Sequence, residues 1–190
     1  MKTLPVLFGL LTLCAGAQAR DFASTITQSE QLVRIRPEFK IPDEPNQLFY
    51  VQRSPNSNTV IYAARLDAQG NINRADPVDA FWRKFNIDGA KVGLNFIERA
   101  MAYGAHADRA PAGKPITFTI AALPERKLTL VLDDKKHPEA LMQIGDHSVK
   151  VAYVYLQVVD GGLTPSVPSL DILGTDIASG KAIHEHLIQK

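Results

Sequence analysis

The sequence predicts a mainly β fold: an antiparallel barrel or curled sandwich of about eight or nine strands with one short helix. Apolar and β-branched residues alternate with polar residues along most of the chain after residue 47, which is the period of a strand with one buried face. The connections between these runs are too short for repeated helical crossovers, so neighbouring strands should be antiparallel. A helical spacing interrupts the alternation between Asn95 and Tyr103.

The first nineteen residues indicate where the protein is located rather than what reaction it performs. Lys2 precedes an apolar run from Leu4 to Leu13, and Ala17-Gln18-Ala19 has the small-x-small pattern that signal peptidase recognises. The run is shorter than the about 20 apolar residues that a membrane-spanning helix requires. We therefore expect a signal peptide over residues 1–19 and a mature chain that starts at Arg20, is periplasmic or secreted, and has no membrane span.

The mature chain should be neutral and free of cysteine. The formal charge of +1 includes Lys2, and Cys14, the one cysteine, lies within the signal peptide. Lipidation of Cys14 would require a small residue before it, and Leu13 stands there. Loss of Cys14 excludes a disulfide scaffold, a thiol nucleophile and a cysteine-ligated zinc site. A neutral chain without a long basic stretch also lacks the charge of a nucleic-acid-binding protein.

Residues 20–46 form a polar, proline-containing segment before the predicted domain. Each proline biases the residue before it away from the helix, so we expect an extended arm. The prolines are Pro37, Pro42 and Pro45. A small basic cluster in this segment, Arg34 with Arg36 and Lys40, is typical of a solvated linker. Residues 47–190 should form a single β-rich domain.

Three hairpins are predicted within the domain, each from two alternating runs joined by turn residues. The paired runs are 116–122 with 128–132, 141–144 with 149–159, and 170–173 with 183–188. Pro124-Glu125-Arg126 is the predicted first connection, because proline suits the first central position of a turn. Gly145-Asp146 and residues 178–181 are the predicted second and third connections.

The one helix is predicted from a capping box. Asn95 and Glu98 have the Asn-x-x-Glu spacing in which each side chain accepts a hydrogen bond from the other residue's backbone N–H. Ile97 and Met101 would lie on one side of this helix, and Gly104 fits a left-handed residue just after its end. A helix of about two turns is marginal in isolation, so it should pack on the sheet.

Several short motifs follow one another in order between residues 48 and 185. They are Leu48–Tyr62 (LFYVQRSPNSNTVIY), Asp76–Trp82 (DPVDAFW), Leu94 with Ile97-Glu98 and Ala102–Gly104, Asp171–Asp176 (DILGTD), and Ser179–Lys181 with Glu185. In this order they resemble the bacterial exported domain-of-unknown-function 4833 family. The resemblance covers nearly all of residues 47–188. It implies an exported single domain, and it implies no catalytic residues because the family has no established activity.

Candidate ligand-binding residues lie near the ends of the predicted strands. Asn56 and Asn58 stand between two strand runs and are typical of a turn, because asparagine tolerates the left-handed backbone. Alternatively, they line the mouth of a pocket together with Arg53, which would bind a carboxylate or phosphate group. Three aromatic residues are candidates for the wall of such a pocket and otherwise belong to the core: Tyr62, Trp82 and Tyr103.

The C-terminal run Ile183–Leu187 carries the clearest chemical pattern. In a strand, His184 and His186 project to the same face, as in the His-x-His pairs of metal sites. Two histidines on a solvent-facing strand satisfy the same pattern. A transition-metal site needs at least one more ligand, and no spacing selects one of the remaining histidines: His106, His137 and His147.

Glu185 is an unexpected residue in this run, because it alternates with Ile183 and Leu187 on the apolar face. A buried carboxylate is unfavourable unless it is paired. We therefore expect Glu185 to contact an arginine, and we include it among the candidate ligand-binding residues. The partner predicted first is Arg53, and the alternatives are Arg83 and Arg99.

The sequence contains no dinucleotide-binding fingerprint, P-loop or serine-hydrolase elbow. It therefore favours an exported, non-enzymatic β-domain that binds a small or apolar ligand or an envelope partner. The alternative is a metal-assisted hydrolase that uses His184 and His186. No cofactor is expected apart from a metal ion at that pair.

Overall fold

Strands dominate the computed structural model, which describes residues 22–159 and 166–190. The predicted signal peptide and Cys14 lie outside the described residues. The strands within them are β1 (Phe22–Ser29), β2 (Gln47–Arg53), β3 (Thr59–Ala64), β4 (Val78–Arg83), β5 (Lys91–Gly93), β6 (Ala105–Ala107), β7 (Ile116–Ile120), β8 (Leu123–Leu132), β9 (Pro138–Ile144), β10 (His147–Val159), β11 (Ser166–Asp176) and β12 (Ala182–Gln189). In these two ranges, no helix has the length and apolar character needed to cross a membrane.

Nine of these strands form a curled sheet that makes a half-barrel, in the order β5-β4-β3-β2-β10-β9-β8-β7-β6. The long strand β10 divides one edge between two neighbours: residues 147–150 pair with β9, and residues 153–156 pair in parallel with β2. Its other edge pairs with β11, which is followed by β12 and β1. The predicted mainly β fold with one short helix is confirmed, and three strands, β1, β5 and β6, add to the runs that alternation identified.

Two of the three predicted hairpins are confirmed with their turns. Strands β9 and β10 are joined at Gly145-Asp146, where Gly145 has a φ of 55°, and β11 and β12 are joined through residues 177–181. The third hairpin forms between β7 and β8, but its predicted turn is wrong. Ile120 already pairs with Leu123, so the turn comes before Leu123. Residues 124–126 belong to β8, because this strand starts at the buried Leu123.

The sheet buries an apolar cluster on each of its two faces. The larger cluster fills the inside of the half-barrel and is the main core. The smaller cluster lies on the outer face, where residues from β2, β3, β4, β10 and β11 pack with the half-buried Ile35. Its aromatic members are Tyr50, Phe81, Tyr153 and Tyr155. Because Ile35 belongs to the proline-containing arm, this arm covers part of the outer face.

Polar contacts also hold the arm to the sheet. The Nε and Nη2 atoms of Arg83 donate to the two carboxylate oxygens of Glu44 over 2.6 and 2.7 Å. Nη1 of Arg36 donates to the Tyr155 hydroxyl over 3.5 Å. The interpretation of the basic cluster as a solvated linker is therefore wrong for Arg36, because its guanidinium contacts the outer aromatic cluster. The first residues of the arm form β1, which pairs with β12.

The predicted capping box is confirmed. The backbone N–H of Glu98 donates to Oδ1 of Asn95 over 2.8 Å, and the backbone N–H of Asn95 donates to Oε2 of Glu98 over 2.9 Å. These bonds begin the helix α1 (Phe96–Glu98), which continues as a single π-helical turn, Arg99–Tyr103. Such turns often occur near functional sites.

The predicted packing of the helical side chains on the sheet is wrong. Ile97 and Met101 are 66% and 73% exposed. The segment is anchored instead at its two ends, where Leu94 and Tyr103 join the inner core. Gly104 ends the π-helical turn, but with an extended backbone at a φ of −62° rather than in the left-handed region. A Cβ atom at Gly104 would overlap the carbonyl oxygen five residues earlier, so close approach explains this glycine.

Candidate functional site

Strand β12 directs alternate side chains to opposite faces of the sheet. Ile183, Glu185 and Leu187 are buried on the inner face, and Glu185 is only 1% exposed. His184 and His186 lie on the outer face, and their side chains are 35% and 37% exposed. The prediction that Glu185 is buried between apolar neighbours is therefore confirmed.

Asp171 brings the two histidines together. In the β11–β12 hairpin, Asp171 lies opposite His186, and the next pair on the same face joins Leu173 to His184. Nε2 of His184 and Nδ1 of His186 each lie 2.7 Å from one atom, Oδ1 of Asp171. These ligand atoms all lie within 4.8 Å of one another. We call Asp171, His184 and His186 the His–Asp cluster.

The environment of Asp171 favours its charged form. Burial acts to raise the pKa of its carboxyl group, but the hydrogen bonds and charges of His184 and His186 outweigh burial and hold this pKa below its usual value. The cluster therefore presents a buried, negatively charged oxygen beside two imidazole nitrogens.

The His–Asp cluster has the donor set of a transition-metal site. Imidazole nitrogen with carboxylate oxygen suits late first-row divalent ions, whereas Mg²⁺ and Ca²⁺ prefer oxygen ligands. Three protein ligands are sufficient when water fills the remaining positions. Partial exposure of both imidazole rings gives water access to the cluster. The residues present therefore fit a zinc-like ion.

Sequence reasoning missed Asp171 as the third member of the His–Asp cluster. The histidines considered for this role lie elsewhere. Nδ1 of His137 lies 3.3 Å from Oδ2 of Asp133, and Nδ1 of His147 lies 3.6 Å from Oδ2 of Asp176. His106 is on the edge strand β6. The signal that could have identified Asp171 was the predicted hairpin itself, because a register across residues 177–181 places it beside His186.

Arg126, on β8, is the partner of Glu185 on the inner face. Its Nη2 atom donates to Oε1 of Glu185 over 2.6 Å, and Oγ of Ser24 donates to the same oxygen over 2.6 Å. The Oε2 atom of Glu185 is buried without a hydrogen-bond partner among the described residues. Arg126 was missed because it was assigned to the short turn between two strands. The partners named from sequence are wrong: Arg53, Arg83 and Arg99.

A cleft of about 260 Å³ opens beside this ion pair. Its volume is just below the about 300–1,000 Å³ that is usual for small-molecule sites. Ser24 and Arg126 provide polar atoms in its lining. Its apolar lining includes Phe22, Leu123, Pro124 and Leu187.

Four candidate ligand-binding residues come together elsewhere inside the half-barrel. Trp82 and Tyr103 pack edge to face with ring centroids 5.0 Å apart, and the Tyr62 hydroxyl donates to the Tyr103 carbonyl oxygen over 2.8 Å. The guanidinium carbon of Arg53 lies 5.8 Å from the centroid of the Trp82 ring. We call Arg53, Trp82 and Tyr103 the Arg–Trp cluster. The core interpretation of Tyr62, Trp82 and Tyr103 is confirmed by their burial.

Asn56 and Asn58 form a turn, as the simpler interpretation predicted. Oδ1 of Asn56 accepts a hydrogen bond from the backbone N–H of Asn58 over 3.0 Å. Oδ1 of Asn58 accepts one from the backbone N–H of Asn86 over 3.3 Å. These side-chain oxygens therefore bind the loop backbone.

A family model described as a domain of unknown function, DUF4833, matches residues 49–186 of the chain. This range includes the His–Asp cluster, the Arg–Trp cluster and Glu185. No curated protein and no solved structure shows significant similarity to the chain.

Proposed function

The chain belongs to the DUF4833 family, and we propose that it is an exported β-domain that binds a late first-row divalent metal ion, zinc in the first place, through Asp171, His184 and His186. The observation that carries the proposal is the convergence of two imidazole nitrogens on one buried carboxylate oxygen. Export is supported by the signal-peptide pattern of residues 1–19, which would place the protein in the periplasm or outside the cell.

The backbone that carries the three ligands supports a preorganised site. Asp171 and both histidines lie within paired strands, and β10 and β1 flank the hairpin on its two sides. Sites built on paired strands hold ligand positions more accurately than sites on loops. Metal binding would therefore require small side-chain adjustments rather than folding of a new segment.

Zinc is the first choice among metals because of ligand type. Two imidazoles and a carboxylate form a donor set found in zinc proteins, with water at the open position. Copper and nickel also bind imidazole, and the general affinity order places copper above zinc. Metal availability would then decide which ion occupies the site in the cell.

Metal binding without catalysis is the function that we favour. The cleft beside Arg126 is lined by residues outside the His–Asp cluster, and so is a second cleft between β2 and β9. A metal-assisted hydrolase is the second candidate, because the partly exposed histidine rings would allow a metal to hold water. A small apolar molecule in the cleft beside Arg126 would be compatible with either function.

The test is the metal content of the protein after export. Mature protein purified from the periplasm without chelator should contain about one zinc ion per chain. The double variant His184→Ala/His186→Ala should contain none. His106→Ala is the matched control, because His106 is exposed on β6 outside the cluster, and this variant should retain the metal.

Affinity separates a true site from adventitious histidine binding. The purified protein is depleted with EDTA and titrated with Zn²⁺ or with Co²⁺, whose visible absorption reports the ligand field. Asp171→Asn should weaken binding by more than about 100-fold, since loss of an outer-shell partner alone costs about 10–100-fold. Equal metal content in the parent and the double histidine variant would contradict the proposal. Zinc-dependent ester hydrolysis that the double variant loses would favour the second candidate.

A further inference from the structure

The Arg–Trp cluster forms a second polar group inside the half-barrel, separate from the His–Asp cluster on the outer face. Arg53 is the last residue of β2, and Trp82 lies near the end of β4. Trp82 is opposite Val60 on β3, which in turn is opposite Val51, two residues before Arg53. Arg53 and Trp82 therefore extend from the same inner face, and Tyr103 of the π-helical turn packs edge to face against Trp82.

Two N–H groups of this cluster have no acceptor in the described part of the chain. Nε of Arg53 and Nε1 of Trp82 are both buried and have no hydrogen-bond partner among the described residues. Trp82 as a whole is 3% exposed. Buried donors are nearly always satisfied in native proteins, so each unsatisfied one requires an explanation. Because both groups can only donate, the partner that would satisfy them must be an acceptor.

The charge around these donors is positive. The Lys84 ammonium lies 4.3 Å from the centroid of the Trp82 ring, which already has the Arg53 guanidinium nearby. Burial is the main cause that raises the pKa of the Tyr103 hydroxyl, Arg53 acts to lower it, and the nearby carboxylate of Glu98 acts to raise it. The Oε2 atom of Glu98 accepts the capping hydrogen bond from the backbone N–H of Asn95. Two cations and one carboxylate leave a net charge of about +1 at the cluster. This charge suits a monoanion.

We infer that the Arg–Trp cluster binds the carboxylate group of a small anionic ligand. A carboxylate has two acceptor oxygens, one for each unpartnered N–H group, and a single negative charge that balances the net charge of the cluster. A phosphate dianion would exceed this charge and would lose more hydration among the aromatic rings of Trp82 and Tyr103. This site uses none of the ligands of the proposed metal site, so either can exist without the other.

Trp82 provides a direct measurement, because it is the one tryptophan of the chain. Mature protein is titrated with butyrate at constant ionic strength while the tryptophan emission is recorded. We expect a saturable change in emission. Butyramide, which has the same shape but no charge, and inorganic phosphate should produce no saturable change. Isothermal titration calorimetry provides an independent binding constant.

Variants test the two donors separately. Arg53→Gln should weaken butyrate binding by about 10-fold or more, as expected for loss of a charge-assisted hydrogen bond. Arg53→Lys keeps the charge but lacks the Nε donor, so its affinity should be intermediate. Trp82→Phe removes the indole N–H and should also weaken butyrate binding, which calorimetry measures because this variant has no tryptophan emission. Arg109→Gln is the matched control, because Arg109 is exposed and outside the cluster.

Circular dichroism spectra and thermal melts of each variant separate loss of binding from loss of folding. Unchanged emission of the folded parent up to about 50 mM butyrate would overturn the inference. Equal butyrate affinity of the parent and Arg53→Gln would also overturn it. A saturable response to phosphate alone would reject the assignment to a carboxylate.

Discussion

The two faces of β12 satisfy the hydrogen bonds and charges of their polar side chains in different ways. On the outer face, His184 and His186 share one carboxylate oxygen with each other, and water still reaches both rings. On the inner face, Glu185 lies among apolar side chains and depends on Arg126, which reaches it from β8. Neighbouring residues of one strand therefore belong to two unrelated polar groups.

The difference teaches which group is structural and which is available for binding. The inner ion pair joins β8 to β12, so it should contribute mainly to folding. The outer cluster is confined to one hairpin and is open to solvent, so its loss should affect binding more than folding. Substitutions on the two faces of β12 can test this division.

The largest effect is expected from Arg126→Gln. This change leaves the buried carboxylate of Glu185 without its cation, and breaking a buried pair in this way typically costs about 3–5 kcal/mol. The urea midpoint should fall accordingly. Lys127→Gln is the matched control, because Lys127 is the next residue and its side chain is 71% exposed. The urea midpoint of this variant should equal that of the parent. Equal midpoints for the two variants would show that the inner pair does not stabilise the fold.

The next largest effect should be stabilisation by zinc. At a free concentration of about one hundred times Kd, a ligand that binds only the folded state adds about 2.7 kcal/mol to the free energy of unfolding. The Tm should therefore rise by about 5–10 °C and return to its original value when EDTA is added. His186→Ala should show no rise. A similar rise in this variant would place the bound metal elsewhere.

Glu185→Gln should have a smaller effect than the loss of Arg126. The amide oxygen can still accept hydrogen bonds from Arg126 and Ser24, but the charge is lost, so we expect a cost of about 1–2 kcal/mol. Glu185→Ala should be more destabilising, because it also leaves a cavity. Urea melts of both variants test this order, and the reverse order would mean that burying the glutamine amide NH2 group costs more than the cavity left by alanine.

The smallest effect distinguishes two neighbouring residues of β1. Ser24 donates to Glu185, so Ser24→Ala should cost about 1 kcal/mol. Thr25 lies opposite His186 in the register of β1 and β12, on the other face, and Thr25→Ala should leave the urea midpoint unchanged. Equal effects of the two substitutions would indicate that the faces of β1 do not follow those of β12.

Most of the fold could be predicted because alternation is a local property. Ile116, Phe118 and Ile120 are buried as their spacing of two requires, and the same holds for Leu128 and Leu130. The position of the β7–β8 turn, before Leu123 rather than at Pro124, could not be predicted in the same way. Proline is compatible both with a turn and with the start of a strand, and burial of Leu123 favoured the strand.

The His–Asp cluster and the Arg–Trp cluster were each predicted in part. The shared face of His184 and His186 follows from their spacing, but Asp171 lies on another strand and becomes their neighbour only through the hairpin register. Trp82 and Tyr103 were candidates for their residue types, and their contact depends on the π-helical turn. Burial of Leu94 and Tyr103, which anchors that turn, is a property of the assembled core.

The sequence by itself determined that Glu185 and the two histidines lie on opposite faces of β12, because side chains of a strand alternate, and the apolar neighbours of Glu185 indicated which face is buried. Tertiary structure alone decided that Arg126 and not Arg53 neutralises Glu185, and that Asp171 joins the histidines. Both are contacts between strands, so they depend on which strand edges pair and on how the sheet curls. Strand periodicity carries no information about either, because it describes one strand at a time.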